Sequence, residues 1–210
     1  MQLRSFAGYY WGMVIRPART FAHLITDGRM LKFGAIAVAI MALLYTAVYV
    51  FLIFGGGLPF KPWLDIPPEQ YYRYNVFFCA PAMFFGWLLA AAVVHVLSLI
   101  MRLHGTFDQV LACFGFGIGI ASWSTGIHDI VTSFLGAIHV IDQRQYEIAL
   151  NSPTVWRTLL WVQMGIYLVW FICLFGTAAR SVYRSRFWQA ALLGVTGFVI
   201  YQGFFLIFNR

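Results

Sequence analysis

Lys32 is followed by FGAIAVAIMALLYTAVYVFLIF, residues 33–54, and the run ends at Gly55-Gly56-Gly57. It carries no charge, and about 20 apolar residues suffice to cross roughly 30 Å of hydrocarbon as a helix. Comparable runs cover 76–101 (closed by Arg102), 109–127, 158–179 (between Arg157 and Arg180) and 187–208 (after Arg186). The pattern predicts an all-α polytopic membrane protein with a bundle of five transmembrane helices in 33–210. Residues 1–32 read as a cytoplasmic or interfacial amphipathic segment.

The composition agrees. Of 210 residues 61% are hydrophobic, 19% aromatic and only 10% charged, with a mean hydropathy of +0.77. A soluble domain carries about a quarter charged residues, so a soluble enzyme or nucleic-acid binder is excluded. The net charge of +7 reads as basic residues flanking apolar runs, not as an affinity for nucleic acid.

Val110 to Ile141 is uncharged except for Asp129, too short for two crossings, and interrupted by Ser122-Trp123-Ser124-Thr125-Gly126. The expected arrangement is a span to about Ile127, then an interfacial helix over 129–142. The apolar positions of that helix, Ile130, Val131, Phe134, Leu135 and Ile138, recur at helical spacing. With five spans, nine of the fourteen Lys and Arg fall on the side of the N-terminus. That places the N-terminus in the cytoplasm and the C-terminus outside. The first long apolar run starts only at Phe33 and reads as an uncleaved anchor. Cys79, Cys113 and Cys173 all fall within spans, which argues against a disulfide framework.

In the N-terminal segment Tyr9, Tyr10 and Trp11 form an aromatic cluster suited to the headgroup level. Pro17 suits the first turn of a helix that Gly28 could end. Ala18, Phe21, Ala22, Leu24 and Ile25 share one face, so an interfacial helix with basic residues at the anionic leaflet is expected. Arg16, Pro17, Arg19 and Phe21 are its candidate partner-binding residues. The loop between the first two spans holds Pro59, Pro62, Pro67, Pro68, Trp63, Tyr71 and Tyr72 and reads as a stiff outer cap.

Gly115, Gly117 and Gly119 lack the strand and the Lys-Ser/Thr of a nucleotide loop. On a helix Gly115, Gly119, Ser122 and Gly126 instead make a small-residue face for close packing, with Ala90, Ala91 and Ala92 as an expected counterpart. Pro81 is expected to kink the second span. His95, about 9 Å into the inner half, and His128 with Asp129 at the outer end of the third span could belong to a polar path. Asp129 could alternatively cap the helix that follows. There is no H-E-x-x-H, paired Cys or intramembrane carboxylate pair, so neither metal nor cofactor is expected, and no catalytic residues.

Several short motifs in succession resemble the Yip family (Ypt/Rab-GTPase-interacting membrane proteins) in its compact prokaryotic form. They are Arg16-Pro17-Ala18-Arg19-Thr20-Phe21, and Ile66-Pro67-Pro68-Glu69-Gln70-Tyr71-Tyr72 leading to Pro81. Next come His95-Val96-Leu97-Ser98, Leu103-His104-Gly105-Thr106-Phe107, and Cys113-Phe114-Gly115-Phe116-Gly117. The resemblance covers nearly all of the chain and implies five spans with a cytoplasmic N-terminus. Eukaryotic members carry an Asp-Leu-Tyr-Gly-Pro motif in a long cytosolic region and are associated with small GTPases. That motif is absent here, so the trafficking role does not transfer. The resemblance implies no catalytic residue.

Two functional expectations result. One is a non-catalytic scaffold or adaptor in a prokaryotic plasma (inner) membrane, binding a membrane or cytoplasmic protein partner or organising lipid. The other is a small oligomeric transporter, channel or lipid-moving protein. The lipid bilayer is a partner in both, a homo-oligomer fits either, and nucleic acid fits neither.

Overall fold

The computed structural model describes residues 5–57, 59 and 64–208, so Pro62 and Trp63 of the expected outer cap lie outside the described residues. Within them the chain forms nine helices and no strand: α1 (Phe6–Ile15), α2 (Pro17–Leu24), α3 (Met30–Gly55), α4 (Pro68–Ile100), α5 (Phe107–Ala121), α6 (Trp123–Ala137), α7 (Gln143–Asn151), α8 (Val155–Tyr183) and α9 (Phe187–Phe208). Four of these (α3, α4, α8 and α9) are long and apolar enough to cross a membrane. The number is five if α5 and α6, bent by 46° at Ser122, form one span.

Contacts along the helices set their directions. Gly34 lies against Ala112 and Gly115, Ala37 against Gly119, Tyr45 against Thr125, Phe51 against Phe134 and Gly55 against Gly136. Both numbers rise together, so the α5–α6 pair runs parallel to α3 along its whole length. By the same reasoning α4 is antiparallel to α9, through Phe78–Phe208 and Gly86–Tyr201, and α8 is antiparallel to α9, through Tyr167–Gln202 and Gly176–Gly194. The end that carries α1, α2 and the start of α3 is called proximal, and the end that carries α7 is called distal.

The centre of the bundle is α5, in which every residue from Val110 to Ala121 is buried. Its glycines make this possible. A Cβ on Gly115 would stand 2.6 Å from the Gly34 carbonyl oxygen, and one on Gly119 would stand 2.9 Å from Ala37 Cβ. Gly117, half a turn away, faces the Phe175 ring of α8 instead. Alternate glycines therefore admit two neighbours on opposite sides of one helix. The partner of the small-residue face is α3, not Ala90–Ala92 of α4 as expected. Phe114 completes the wedge, stacked on Phe175 with ring centroids 3.9 Å apart.

Several boundaries differ from expectation. The break falls at Ser122 instead of after Ile127, and the helix that follows occupies 123–137 instead of 129–142. That helix packs beside α3, because Gly126, Phe134 and Gly136 meet Leu44, Phe51 and Gly55. Asp129 consequently lies inside α6 and is not its cap. α4 begins at Pro68, about two turns before the expected span, because Pro67-Pro68 places a proline at a helix start, where its missing N–H is tolerated. It then runs through Pro81 without a break. α2 starts at Pro17 as expected and ends at Leu24, before Gly28.

The N-terminal segment forms two helices that are packed into the bundle. Phe21 and Leu24 are fully buried, and α2 lies on α8. Tyr9 is also buried, so of the three aromatics expected at headgroup level only Trp11 turns outward, at 63% exposure. Four side-chain groups hold the hairpin at its proximal edge. Asp27 accepts from the Arg29 backbone N–H at 2.9 Å, from the Arg29 guanidinium at 3.2 Å and from the Tyr9 hydroxyl at 3.1 Å, and the guanidinium lies over the Phe33 ring.

Candidate polar site at the helix break

A bend in a buried helix frees carbonyl groups that need donors. Around Ser122 each comes from a different element. Tyr10 of α1 donates its hydroxyl hydrogen to the Gly119 carbonyl at 2.6 Å and accepts the Trp123 indole N–H. Ser124 Oγ donates back to the Ala121 carbonyl at 2.7 Å, the local side-chain bond that bends helices. Gln163 of α8 donates its amide to the Ser124 carbonyl at 3.0 Å. Tyr45 of α3 and Thr125 share a hydrogen bond of 2.7 Å. The break is thus a polar node that joins α1, α3, α6 and α8 inside an apolar bundle. Burial pushes the Tyr10 hydroxyl above its ordinary value of 10.0, with the Trp123 bond pulling partly back, so it stays a donor.

Tyr45 also lines a distal cavity of about 230 Å³. Its walls include Tyr49 and Tyr72 from α3 and α4, His128, Asp129, Thr132 and Ser133 from α6, and Gln143, Tyr146 and Glu147 from α7. His128 stands between two partners, with Nδ1 2.9 Å from Asp129 Oδ1 and Nε2 2.6 Å from the Tyr146 hydroxyl. Burial, then the nearby Asp129 charge, raises Tyr146 above its ordinary 10.0. Asp129 and the Tyr146 hydroxyl thus engage the two ring nitrogens of His128 from α6 and α7. The Gln143 amide donates to Glu147 at 3.1 Å, while its own Oε1 has no partner. Among the described residues no group of three or more His, Cys, Asp or Glu is placed to hold a metal.

The expected site residues separate. His95 lies near the proximal end, with Nδ1 3.2 Å from the Tyr183 hydroxyl, whereas His128 and Asp129 stand together at the distal cavity. His95 and the His128–Asp129 pair thus stand toward opposite ends of the bundle. Arg16 and Arg19 are exposed, Pro17 is half-buried, and Phe21 has no accessible surface to offer a partner. Gly115, Gly119 and Gly126 all face α3, and Ser122 is buried at the bend.

Sequence reasoning missed Tyr10, Tyr45, Gln163 and Tyr146. The signal for Gln163 was present, since a lone amide in an apolar helix has to find a partner. Asn75, fully buried in α4, has no hydrogen-bond partner for either amide atom, and neither does the buried Ser185 hydroxyl between α8 and α9. No family model, curated protein or solved structure matches the chain.

Proposed function

We propose that the protein is a non-catalytic scaffold or adaptor of five spans, with α5 and α6 as one bent crossing, whose proximal end is a cytoplasmic docking face. The observation that carries this reading is the distribution of charge. Arg16, Arg19, Arg29, Lys32, Arg102, Arg180, Arg184 and Arg186 are all exposed at the proximal end, where the described acids are Asp27 and Asp108. At the distal end the described acids, Asp65, Glu69, Asp129, Asp142 and Glu147, outnumber Arg73, Arg144 and Arg157. Basic residues concentrate on the cytoplasmic side of membrane proteins, and such a surface attracts acidic partners and anionic headgroups. A closed centre, filled by α5, favours a scaffold over a pore. The motif succession from Arg16 to Gly117 supports placing the chain in the Yip family, and its likeness to the compact prokaryotic form supports a prokaryotic plasma membrane.

Removing residues 1–30 would strip Tyr9, Met13 and Phe21 from the core, so point substitutions are the cleaner test. In native lipid particles, Arg16→Gln with Arg19→Gln should release a co-purifying acidic protein while the bundle melts unchanged. Retention of every partner by that double variant would count against the docking face.

A second reading has one specific observation in its favour. Tyr45 lines the distal cavity and bonds to Thr125 at the break, so one side chain links the cavity to the bend between α5 and α6, and transporters place their sites at broken helices. On that reading Asp129→Asn abolishes flux into liposomes. Absence of flux for any cargo removes it.

A further inference from the structure

We propose that the groove between α8 and α9 holds an acyl chain of an anionic phospholipid, with its phosphate on Arg180. The inference goes beyond the docking role and needs only that α8 and α9 stand in a bilayer. The groove arises from close backbone contact, since a Cβ on Gly194 would stand 2.6 Å from the Gly176 backbone nitrogen. Beside that contact Gly176, Thr177, Ala190 and Ala191 are too small to fill the surface, and a cleft of about 210 Å³ remains. The Thr177 hydroxyl is engaged by the Cys173 carbonyl at 2.7 Å, so the walls present apolar surface suited to a hydrocarbon chain.

Arg180 and Phe187 line the proximal end of this cleft. The exposed Arg180 has no carboxylate partner among the described residues, whose ion pairs are Arg29–Asp27 and His128–Asp129. Neither α8 nor α9 contains an Asp or Glu, and Arg184 and Arg186 follow in the connecting turn. α2, packed on the same helix, adds Arg19 and His23, with Arg16 at its N-cap, and no acid. The α9 N-terminus also begins here, with the positive end of its dipole outward. Asp108, in the first turn of α5, is the acid that the neighbouring elements bring to this end, and it forms no ion pair with Arg180, which leaves the guanidinium for an external anion. A phosphate diester at headgroup level, attached to a chain lying in an apolar cleft, satisfies both halves of the site.

Cys173 also lines the cleft and is the exposed cysteine, while Cys79 and Cys113 are buried. The test uses the full chain in mild detergent with phosphatidylglycerol, phosphatidylcholine or inorganic phosphate at equal concentration. Bound lipid is read by native mass spectrometry and alkylation of Cys173 by maleimide rate. Phosphatidylglycerol should be retained and should slow alkylation, while phosphatidylcholine and inorganic phosphate do neither. Arg180→Gln should lower phosphatidylglycerol occupancy about tenfold, the loss of a charge-assisted bond. Ala191→Trp, which fills the cleft and spares Arg180, should lower it as well, and distal Arg157→Gln should not. Thermal melts establish that each variant is folded. Equal retention of both lipids, an unaffected Arg180→Gln, or an unaffected Ala191→Trp would overturn the proposal. So would a lipid-free dimer that cross-links through Cys173.

Discussion

The Tyr10 hydroxyl donates to the Gly119 carbonyl at 2.6 Å across 109 residues of sequence, tying the first helix to the turn before the bend at Ser122. The same oxygen accepts the Trp123 indole hydrogen from the far side of the bend. One phenol therefore satisfies a carbonyl that the bend exposes and a donor that it strands.

Tyr10→Phe leaves both groups unpaired, at a cost of about 1–3 kcal/mol each where they are buried. A lower melting temperature in detergent is expected, with Trp11→Phe, on the exposed neighbour, as an inert control. If the two variants melt alike, Tyr10 does not anchor the break.

Gly115→Ala forces α3 and α5 apart, because the new methyl would meet the Gly34 carbonyl. Overpacking of this kind costs about 1–3 kcal/mol. Gly165→Ala, on α8 with nothing within 4 Å of the added methyl, should be neutral or stabilising through helix propensity. Thermal unfolding of the pair reads the contrast directly.

The positions of the helices were largely legible, and those of their polar contacts were not. Charged residues bracket the apolar runs, so α9 coincides with its expected span and α3 and α8 with theirs to within a turn or so. The sequence marks an interruption over Ser122 to Gly126, but the composition of that run does not say at which residue the backbone turns. The backbone yields at Ser122, where hydroxyls at 122, 124 and 125 compete for carbonyls. The hairpin of α1 and α2 was half legible: Pro17 marks a helix start, but nothing local reveals that Phe21 points into a core made by α8. Tyr10 and Gln163 meet partners on other helices, and such tertiary pairings leave no periodic trace.

The N-terminal hairpin should respond to acid through Asp27. Its hydrogen bonds to Arg29 hold the carboxyl below the ordinary 3.8. A depressed folded value stabilises the hairpin fully above about pH 3.8 and loses that contribution as pH falls through the lower folded value. Amide exchange over residues 6–15, corrected for intrinsic rate, should stay flat between about pH 5 and 8 and rise below 3.8. Asp27→Asn should remove the step. A step near neutral pH would implicate a histidine instead.

Phe21→Ala empties a fully buried site, and truncations of this kind cost about 3–5 kcal/mol. Arg19→Gln, fully on the surface, should leave the melt unchanged and weaken only what binds there. Equal stability losses would show that α2 does not divide into a core face and a docking face.

The docking role requires the basic end to face the cytoplasm, and sidedness labelling reads that directly. Single cysteines would replace Ala18 on α2 and Gln145 on α7, both exposed and at opposite ends of the bundle, in a chain with Cys173 changed to Ser. A membrane-impermeant maleimide applied to intact cells should label Gln145→Cys at once and Ala18→Cys only after permeabilisation. Labelling of Ala18→Cys in intact cells, with Gln145→Cys protected, would invert the molecule and contradict a cytoplasmic docking face.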